Sequence, residues 1–402
     1  MMKTVIPAEA GIQNRWHPGF RIKCGMTTRA TEVDELVGPK AIWTVDTASK
    51  CYPLHAGDCR ELRMATIIEY INPLLKGESL TFEQATSLLD VVFEGEVPEV
   101  QIAAFLTAMR VKGPTAQEVA GLAKSLRSHA VKVEAGIENL VDVVGTGGAA
   151  VKTFNVSTAA ALVAAGAGVH VAKHGNRAIT SKCGSADVLA ELGVKIDPGP
   201  EVVAECIRQA RVGFMFAPMF HPAMKYVQPI RKSLGFRTVF NILGPLSNPA
   251  GVPSLVLGVA EQGLMQMMAE ALNMLGARYA MVVHSEGLDE ISTASVTKIA
   301  ELSGGKITYK ELNPRELGIE PADIEKLKVG DAKASATIVK DILSGKETGA
   351  GRDIVVLNAS AAIIAGGLVE DFASGLKLAG ASISDGSARD CLEKLIEVSN
   401  KG

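Results

Sequence analysis

The stretch "LVDVVGTGGAAVKTFNVSTAAALVAAGAG", residues 140 to 168, joins three signatures: a short β-branched run, a turn with three glycines in four residues, and an alanine-rich run that opens on Ser157 and Thr158. A strand that turns through glycine directly into a helix is a building unit of an α/β sheet. Gly145, Gly147 and Gly148 leave room for a ligand against bare backbone, and their amides can converge on an anion. Hydroxyls and unpaired amides at the start of the following helix also favour phosphate. A tight turn with an ordinary serine cap gives the same local pattern. The loop is neither a Walker loop nor a full GxGxxG fingerprint, so the surrounding sequence decides between the two readings.

Four further runs, "VHVAK", "VGFMFA", "PSLVLGVA" and "ARYAMVVHS", alternate with helical stretches and predict a central, mostly parallel sheet. The polar residues cluster just beyond their carboxyl ends, where open α/β sheets bind ligands. Upstream, from Ala65 to about Ala130, the pattern is helical. Ile67, Ile68, Ile71, Leu74 and Leu75 form one apolar stripe, Thr81 with Gln84 and Thr115 with Glu118 read as capping boxes, and Pro98 suits a first helical turn. The expected fold is α/β: a small N-terminal helical domain over 65–135, joined by helices from about 222–240, and a larger α/β domain over 136–402. Residues 1–64 hold both tryptophans and three of the six cysteines without any sustained period. They read either as a poorly ordered extension or as sequence upstream of a true start at Met64.

Composition narrows the function. The 402 residues are 47% hydrophobic and 21% charged, with a formal charge of -3 and cations scattered among acids, which speaks against nucleic-acid binding. No apolar run reaches the roughly 18 residues of a membrane span, and Glu9 interrupts the only signal-like N-terminal patch. The six cysteines form no CxxC pair, so a reducing cytoplasm fits best.

Three other stretches carry chemistry. "KHGNRAITSKCGSAD", residues 173 to 187, gathers the donors Lys173, His174, Asn176, Arg177, Thr180, Ser181 and Ser185 around two glycines, which suits a pyrophosphate or sugar-phosphate ligand, although a solvated loop can also be polar. Asp289 and Glu290 stand side by side after a strand; adjacent loop carboxylates anchor Mg2+, and an isolated acidic turn looks the same. Within the Pro- and Asn-rich tract from Phe214 to Ala250, the planar fork of Arg231 could grip a carboxylate or could bond carbonyls structurally.

Taken in order, "GTGG" with "TFNVSTAAA", "KHGNRA" with "CGSADVLAELG", "FAPMFHPAMKYVQPIRKSLGFRTVFNILGPLSNPA" and "GLDEIS" resemble the anthranilate phosphoribosyltransferase family over about residues 65 to 395. The resemblance implies Mg2+-dependent transfer of the phosphoribosyl group of phosphoribosyl pyrophosphate to anthranilate in tryptophan biosynthesis, in a cytoplasmic homodimer, with anthranilate synthase as a further partner. It implies that Gly145, Gly148, Thr153, Asn155, Ser157, Thr158 and Lys173 hold phosphoribosyl pyrophosphate, with Ser185 nearby, and that Ala149, Val156, Gly175, Arg177 and Ser181 belong to the substrate-binding residues. Ser157, Asp289 and Glu290 would hold the metal. Gly145, Asn176 and Arg231 would hold anthranilate, with His174 beside it as an auxiliary proton acceptor, so that Arg231, His174 and Asn176 flank the reaction. The family pattern GTGGDG is broken by Ala149 and Ala150, which removes one charge and some flexibility from the turn; Thr180 and Glu286 are milder departures. A pyrimidine-nucleoside phosphorylase would use a similar Lys-His-Gly loop, and a degenerate paralogue could bind nucleic acid without turnover; the tract 214–250 and the intact Asp289, Glu290 and Arg231 speak against them.

Overall fold

A computed structural model describes residues 66–178 and 183–401, together with three short strands, Thr4–Pro7 (β1), Ile42–Val45 (β2) and Cys51–Pro53 (β3). These three pair antiparallel in the order β1-β2-β3 within their own unit, a pairing that no alternating pattern announces. The other expectations for 1–64 lie outside the described residues, as do Thr180 and Ser181.

The unit from Thr66 onward begins with four helices, Ile68–Leu75 (α1), Phe82–Phe93 (α2), Glu99–Lys112 (α3) and Ala116–Ser128 (α4). Both capping boxes form: Thr81 and Thr115 each accept the N3 amide, and the Gln84 and Glu118 side chains return to the cap amides at 2.9 and 2.8 Å. Glu118 is fully buried yet satisfied, because it also accepts the Leu80 amide at 2.9 Å and Lys112 Nζ at 2.8 Å. The expected stripe on α1 is narrower than its five residues. Ile67, Ile71 and Leu74 are buried, whereas Ile68 and Leu75 are 49% and 68% exposed. The two lie seven residues apart on one neighbouring face, about 100° round the helix from the buried row.

The second layer is a seven-stranded sheet in the order β10-β9-β8-β7-β4-β5-β6. Leu140–Gly145 (β4), His170–Gly175 (β5), Val212–Phe216 (β6), Ser254–Gly258 (β7) and Tyr279–Ser285 (β8) are the five expected strands, all parallel. An antiparallel hairpin, Thr297–Ser303 (β9) and Lys306–Leu312 (β10), completes one edge and was not expected from the sequence. From β4 the chain crosses outward to β5 and β6 and only later returns to β7 on the other side of β4. The reversal leaves a crevice at the carboxyl end of β4, the place where such sheets bind ligands. Helix Val156–Gly166 (α5) follows β4 and is almost wholly buried against the helix Ala350–Ala365, its alanines permitting the close approach. Helix Leu264–Met274 packs on α4 and Gln228–Leu234 on α3, which couples the helical layer to the sheet. Among the described residues no helix is long and apolar enough to cross a membrane.

Candidate active site

The glycine turn after β4 lies against the loop after β8. Thr146 donates its amide to Gly258 O at 2.9 Å, Gly147 donates to Asp289 Oδ2 at 3.0 Å, and Val151 to Gly287 O at 3.0 Å. Gly147 and Gly148 take φ of 63° and 87°, which bare glycine adopts without strain. Glycine is needed at Gly145 for space, since a Cβ there would stand 2.5 Å from Asp289 Oδ2. At the start of α5, Asn155 Oδ1 accepts the Thr158 hydroxyl and Thr153 Oγ1 reaches Glu290 Oε2 at 3.3 Å.

Beneath this loop lies a buried polar network. Lys173 Nζ donates to Val143 O at 2.5 Å and to Ser157 Oγ at 3.3 Å, and burial lowers its pKa to about 8. Asp142, fully buried on β4, accepts the His174 amide at 3.3 Å and Asn248 Nδ2 at 2.8 Å, while burial pushes its carboxyl up to about 6. Asn248 also donates to Ala172 O at 2.8 Å, so one amide and one carboxylate tie β4 and β5 to the 245–250 loop. The His174 ring places Nδ1 3.2 Å from Gly244 O, which requires a proton on Nδ1 and leaves Nε2 as the lone-pair nitrogen. That Nε2 is buried without a hydrogen-bond partner. His221 lies beside it, ring centroids 5.0 Å apart, and burial drives the two imidazoles to about 3 and about 4, so both are neutral.

Two cavities open at this point, of about 600 and 770 Å³. They share a wall made by Val144 to Thr146, His174 to Ala178, and Asn241. The smaller is largely apolar, with Pro218, Met224 and Phe240 among its walls, and carries the cations Lys225 and Arg231 but no carboxylate. Arg231 lies 5.4 Å over the Phe240 ring and donates to Gln228 Oε1 at 3.1 Å. The larger is lined by the glycine turn, Thr153, Asn155, Ser157, Lys173, Ser185, Asp289 and Glu290.

Burial first, and then the neighbouring Asp289, pushes Glu290 up to about 8; burial also raises Asp289. A divalent cation would relieve both. The available donors are hard oxygens, two carboxylates and the Ser157 hydroxyl, and the described residues hold no group of three His, Cys, Asp or Glu. Such a set fits Mg2+, which takes one or two protein carboxylates and keeps its waters for phosphate.

Of the residues singled out in the sequence, the larger cavity collects Gly145, Gly148, Ala149, Thr153, Asn155, Ser157, Lys173, His174, Gly175, Asn176, Arg177, Ser185, Asp289 and Glu290. Arg231 lines only the smaller one. Val156 and Thr158 line neither: the first is buried in the core and the hydroxyl of the second is turned to Asn155. Arg177 reaches the shared wall while paired to Asp187 at 2.9 Å. Sequence reading missed Asp142, His221, Arg237 and Asn248. An acid inside a β-branched run, as Asp142 is in "LVDVV", was the available signal for the first.

The chain is similar to known proteins over both its helical and its α/β parts. Residues 137–389 match the a/b domain of the glycosyl transferase family, and residues 68–130 match its helical bundle domain. An anthranilate phosphoribosyltransferase of Desulfatibacillum aliphaticivorans is 46% identical over 330 residues, 82% of this chain and 97% of its own. One of Rhizobium johnstonii is 48% identical over 323 residues, 80% and 95% of the two chains. The crystal structure of the Thermus thermophilus anthranilate phosphoribosyltransferase superposes with a TM-score of 0.78 at 41% identity, covering 82% of this chain and 99% of that one. The Saccharomyces cerevisiae enzyme in complex with PRPP and Mg gives 0.76 at 29% identity, covering 83% and 98%.

Proposed function

The chain belongs to the anthranilate phosphoribosyltransferase family, and from that membership we propose how its two cavities divide the reaction. The enzyme transfers the phosphoribosyl group of phosphoribosyl pyrophosphate to the amino nitrogen of anthranilate, giving N-(5-phosphoribosyl)anthranilate and pyrophosphate in tryptophan biosynthesis. The larger cavity takes phosphoribosyl pyrophosphate on the amides of Gly145 and Gly148 and on Thr153, Asn155, Ser157 and Lys173, with Ser185 nearby. The smaller takes anthranilate, its ring against apolar walls and its carboxylate on Arg231, with Asn176 and His174 at the junction. The observation that carries this reading is the shared wall: an amine in one cavity and a ribose in the other meet at Gly145, His174 and Asn176.

The bond from nitrogen to the anomeric carbon forms as the bond from that carbon to pyrophosphate breaks, and pyrophosphate leaves with the electron pair. Positioning and electrostatics lower this barrier, since a neutral arylamine attacks without prior deprotonation. Asp289, Glu290 and Ser157 would hold Mg2+, which supplies positive charge to the departing pyrophosphate. The proton shed by the nitrogen passes to solvent; His174, whose Nε2 is buried and whose imidazole burial pushes down to about 3, is at most an auxiliary acceptor.

The exposed apolar residues Ile68 and Leu75 on α1 and Val100 and Val111 on α3, two helices that pack together, favour a homodimer through the helical layer. The buried thiols Cys206 and Cys391 favour a cytoplasmic setting. Association with anthranilate synthase belongs to the same reading. Mixing the protein with anthranilate, phosphoribosyl pyrophosphate and Mg2+ should abolish anthranilate fluorescence; persistent fluorescence at high enzyme concentration would overturn the assignment.

A further inference from the structure

Three cations of the larger cavity, Lys152, Arg237 and Lys328, have no part in the assignments above. Arg237 sits in the turn between the helices Gln228–Leu234 and Phe240–Leu243, and its guanidinium extends onto the glycine turn after β4. Nη2 donates to Gly147 O at 3.4 Å. A Cβ on Gly148 would stand 2.1 Å from Nη1 and 2.8 Å from Cζ, so the bare backbone of Gly148 is what lets the guanidinium lie there. The side chain is exposed to the cavity and forms no ion pair among the described residues.

Its neighbours in the cavity are differently committed. Lys173 is buried and spends two donors on Val143 O and Ser157 Oγ, Arg177 is paired with Asp187 and Lys328 with Glu325, while the exposed Lys152 offers a single ammonium rather than a planar fork. Arg237 has one long bond to a carbonyl and the rest of a planar five-donor fork left over. A fork held at a cavity wall beside the glycine turn matches two oxygens of a phosphate group.

We propose that Arg237 is a further substrate-binding residue, gripping a phosphate of the pyrophosphate moiety above the Gly147-Gly148 turn. Gly148 then has two tasks, opening the turn and seating the arginine. The helix that carries Arg231 and the turn that carries Arg237 are continuous, so a single segment holds one cation in each cavity. The inference rests on the proposed placement of phosphoribosyl pyrophosphate in the larger cavity.

The test compares Arg237→Ala and Arg237→Lys with the unaltered enzyme, reading KM for each substrate, the melting temperature, and calorimetric affinity for inorganic pyrophosphate with Mg2+. Arg237→Ala should raise KM for phosphoribosyl pyrophosphate and weaken pyrophosphate about ten- to a hundredfold, the range for a lost charge-assisted contact. KM for anthranilate and the melting temperature should hardly move, and Arg237→Lys should recover only part of the loss. Gly148→Ala, which displaces the guanidinium, should weaken pyrophosphate as well, and adding Arg237→Ala to it should cost less than the two single changes combined. Pyrophosphate affinity within twofold of the unaltered protein in Arg237→Ala, or equal weakening of both substrates, overturns the proposal. If the unaltered enzyme bound pyrophosphate through Arg237 but left anthranilate unchanged, the proposed reaction would fall while the arginine site stood.

Discussion

Gly258, the last residue of β7, lies so close beneath Asp289 that a Cβ built on it would stand 1.6 Å from the Asp289 carbonyl oxygen. Strand and acidic loop are therefore in backbone contact, and the position of Asp289 is set by what Gly258 lacks. Gly258→Ala should push the loop away, lowering turnover by about a hundredfold, the scale of an ångström misplacement. Its destabilisation should be about 1–3 kcal/mol, as for overpacking. Steady-state kinetics beside denaturant unfolding checks this, and an alanine variant with full turnover would show that the loop tolerates displacement.

Neutralising the acidic pair itself, Asp289→Asn with Glu290→Gln, should abolish Mg2+-dependent turnover and spare the fold. The amide oxygens can still accept from Gly147 N and Thr153 Oγ1, and burial already disfavours charge at both sites. Mg2+ titration of activity together with a melting curve reads the two effects separately. Normal activity with an unaltered Mg2+ requirement would remove the pair as metal anchor.

Arg231→Ala should chiefly weaken anthranilate. A lost charge-assisted contact costs about 1.5–3 kcal/mol, roughly ten- to a hundredfold in apparent affinity. The larger cavity, which Arg231 does not line, should keep its affinity for phosphoribosyl pyrophosphate. Parallel loss of both affinities would make Arg231 structural, its stacking on Phe240 then being the relevant contact.

The His174 and His221 pair predicts an acid-labile fold. Their folded values of about 3 and about 4 lie below the usual 6.5, so between these limits the unfolded chain binds protons that the folded one refuses. Stability from this source is complete above pH 6.5 and is lost as pH falls toward 3. His174→Gln should therefore shrink the difference in unfolding free energy between pH 7 and pH 4.5. An unchanged difference would mean that the imidazole titrates normally.

A chain shortened to begin at Met64 should retain fold and turnover. Helix α1 and both cavities lie downstream of that residue, and relatives are matched over nearly their whole length by about four-fifths of this chain. Precipitation or inactivity of the shortened protein, with the full chain active, would give residues 1–63 a structural task.

Much of the fold is legible in the sequence. Five strands and both capping boxes follow from local rules of period and spacing, and the glycine turn points to a crevice once the donor-rich 173–187 loop and the Asp289-Glu290 pair are read beside it. The β9–β10 hairpin was missed although Gly304-Gly305, both at positive φ, is a two-residue turn signal. Exposed edge residues such as Lys306, Tyr309 and Lys310 blur the alternation that marks a half-buried strand. The roles of Asp142 and Asn248 could not be read, because they depend on residues 106 positions apart meeting at 2.8 Å, which only the folded sheet brings about. Arg237 escaped for the same reason: its neighbour Gly147 is 90 residues away.

The common wall of the two cavities also has a stereochemical consequence. An amine that enters from the apolar side and a pyrophosphate that departs into the polar side must cross the anomeric carbon on opposite faces. Under the proposed division of substrates, each turnover inverts configuration there, and the α-linked pyrophosphate of the donor gives way to a β-linked nitrogen.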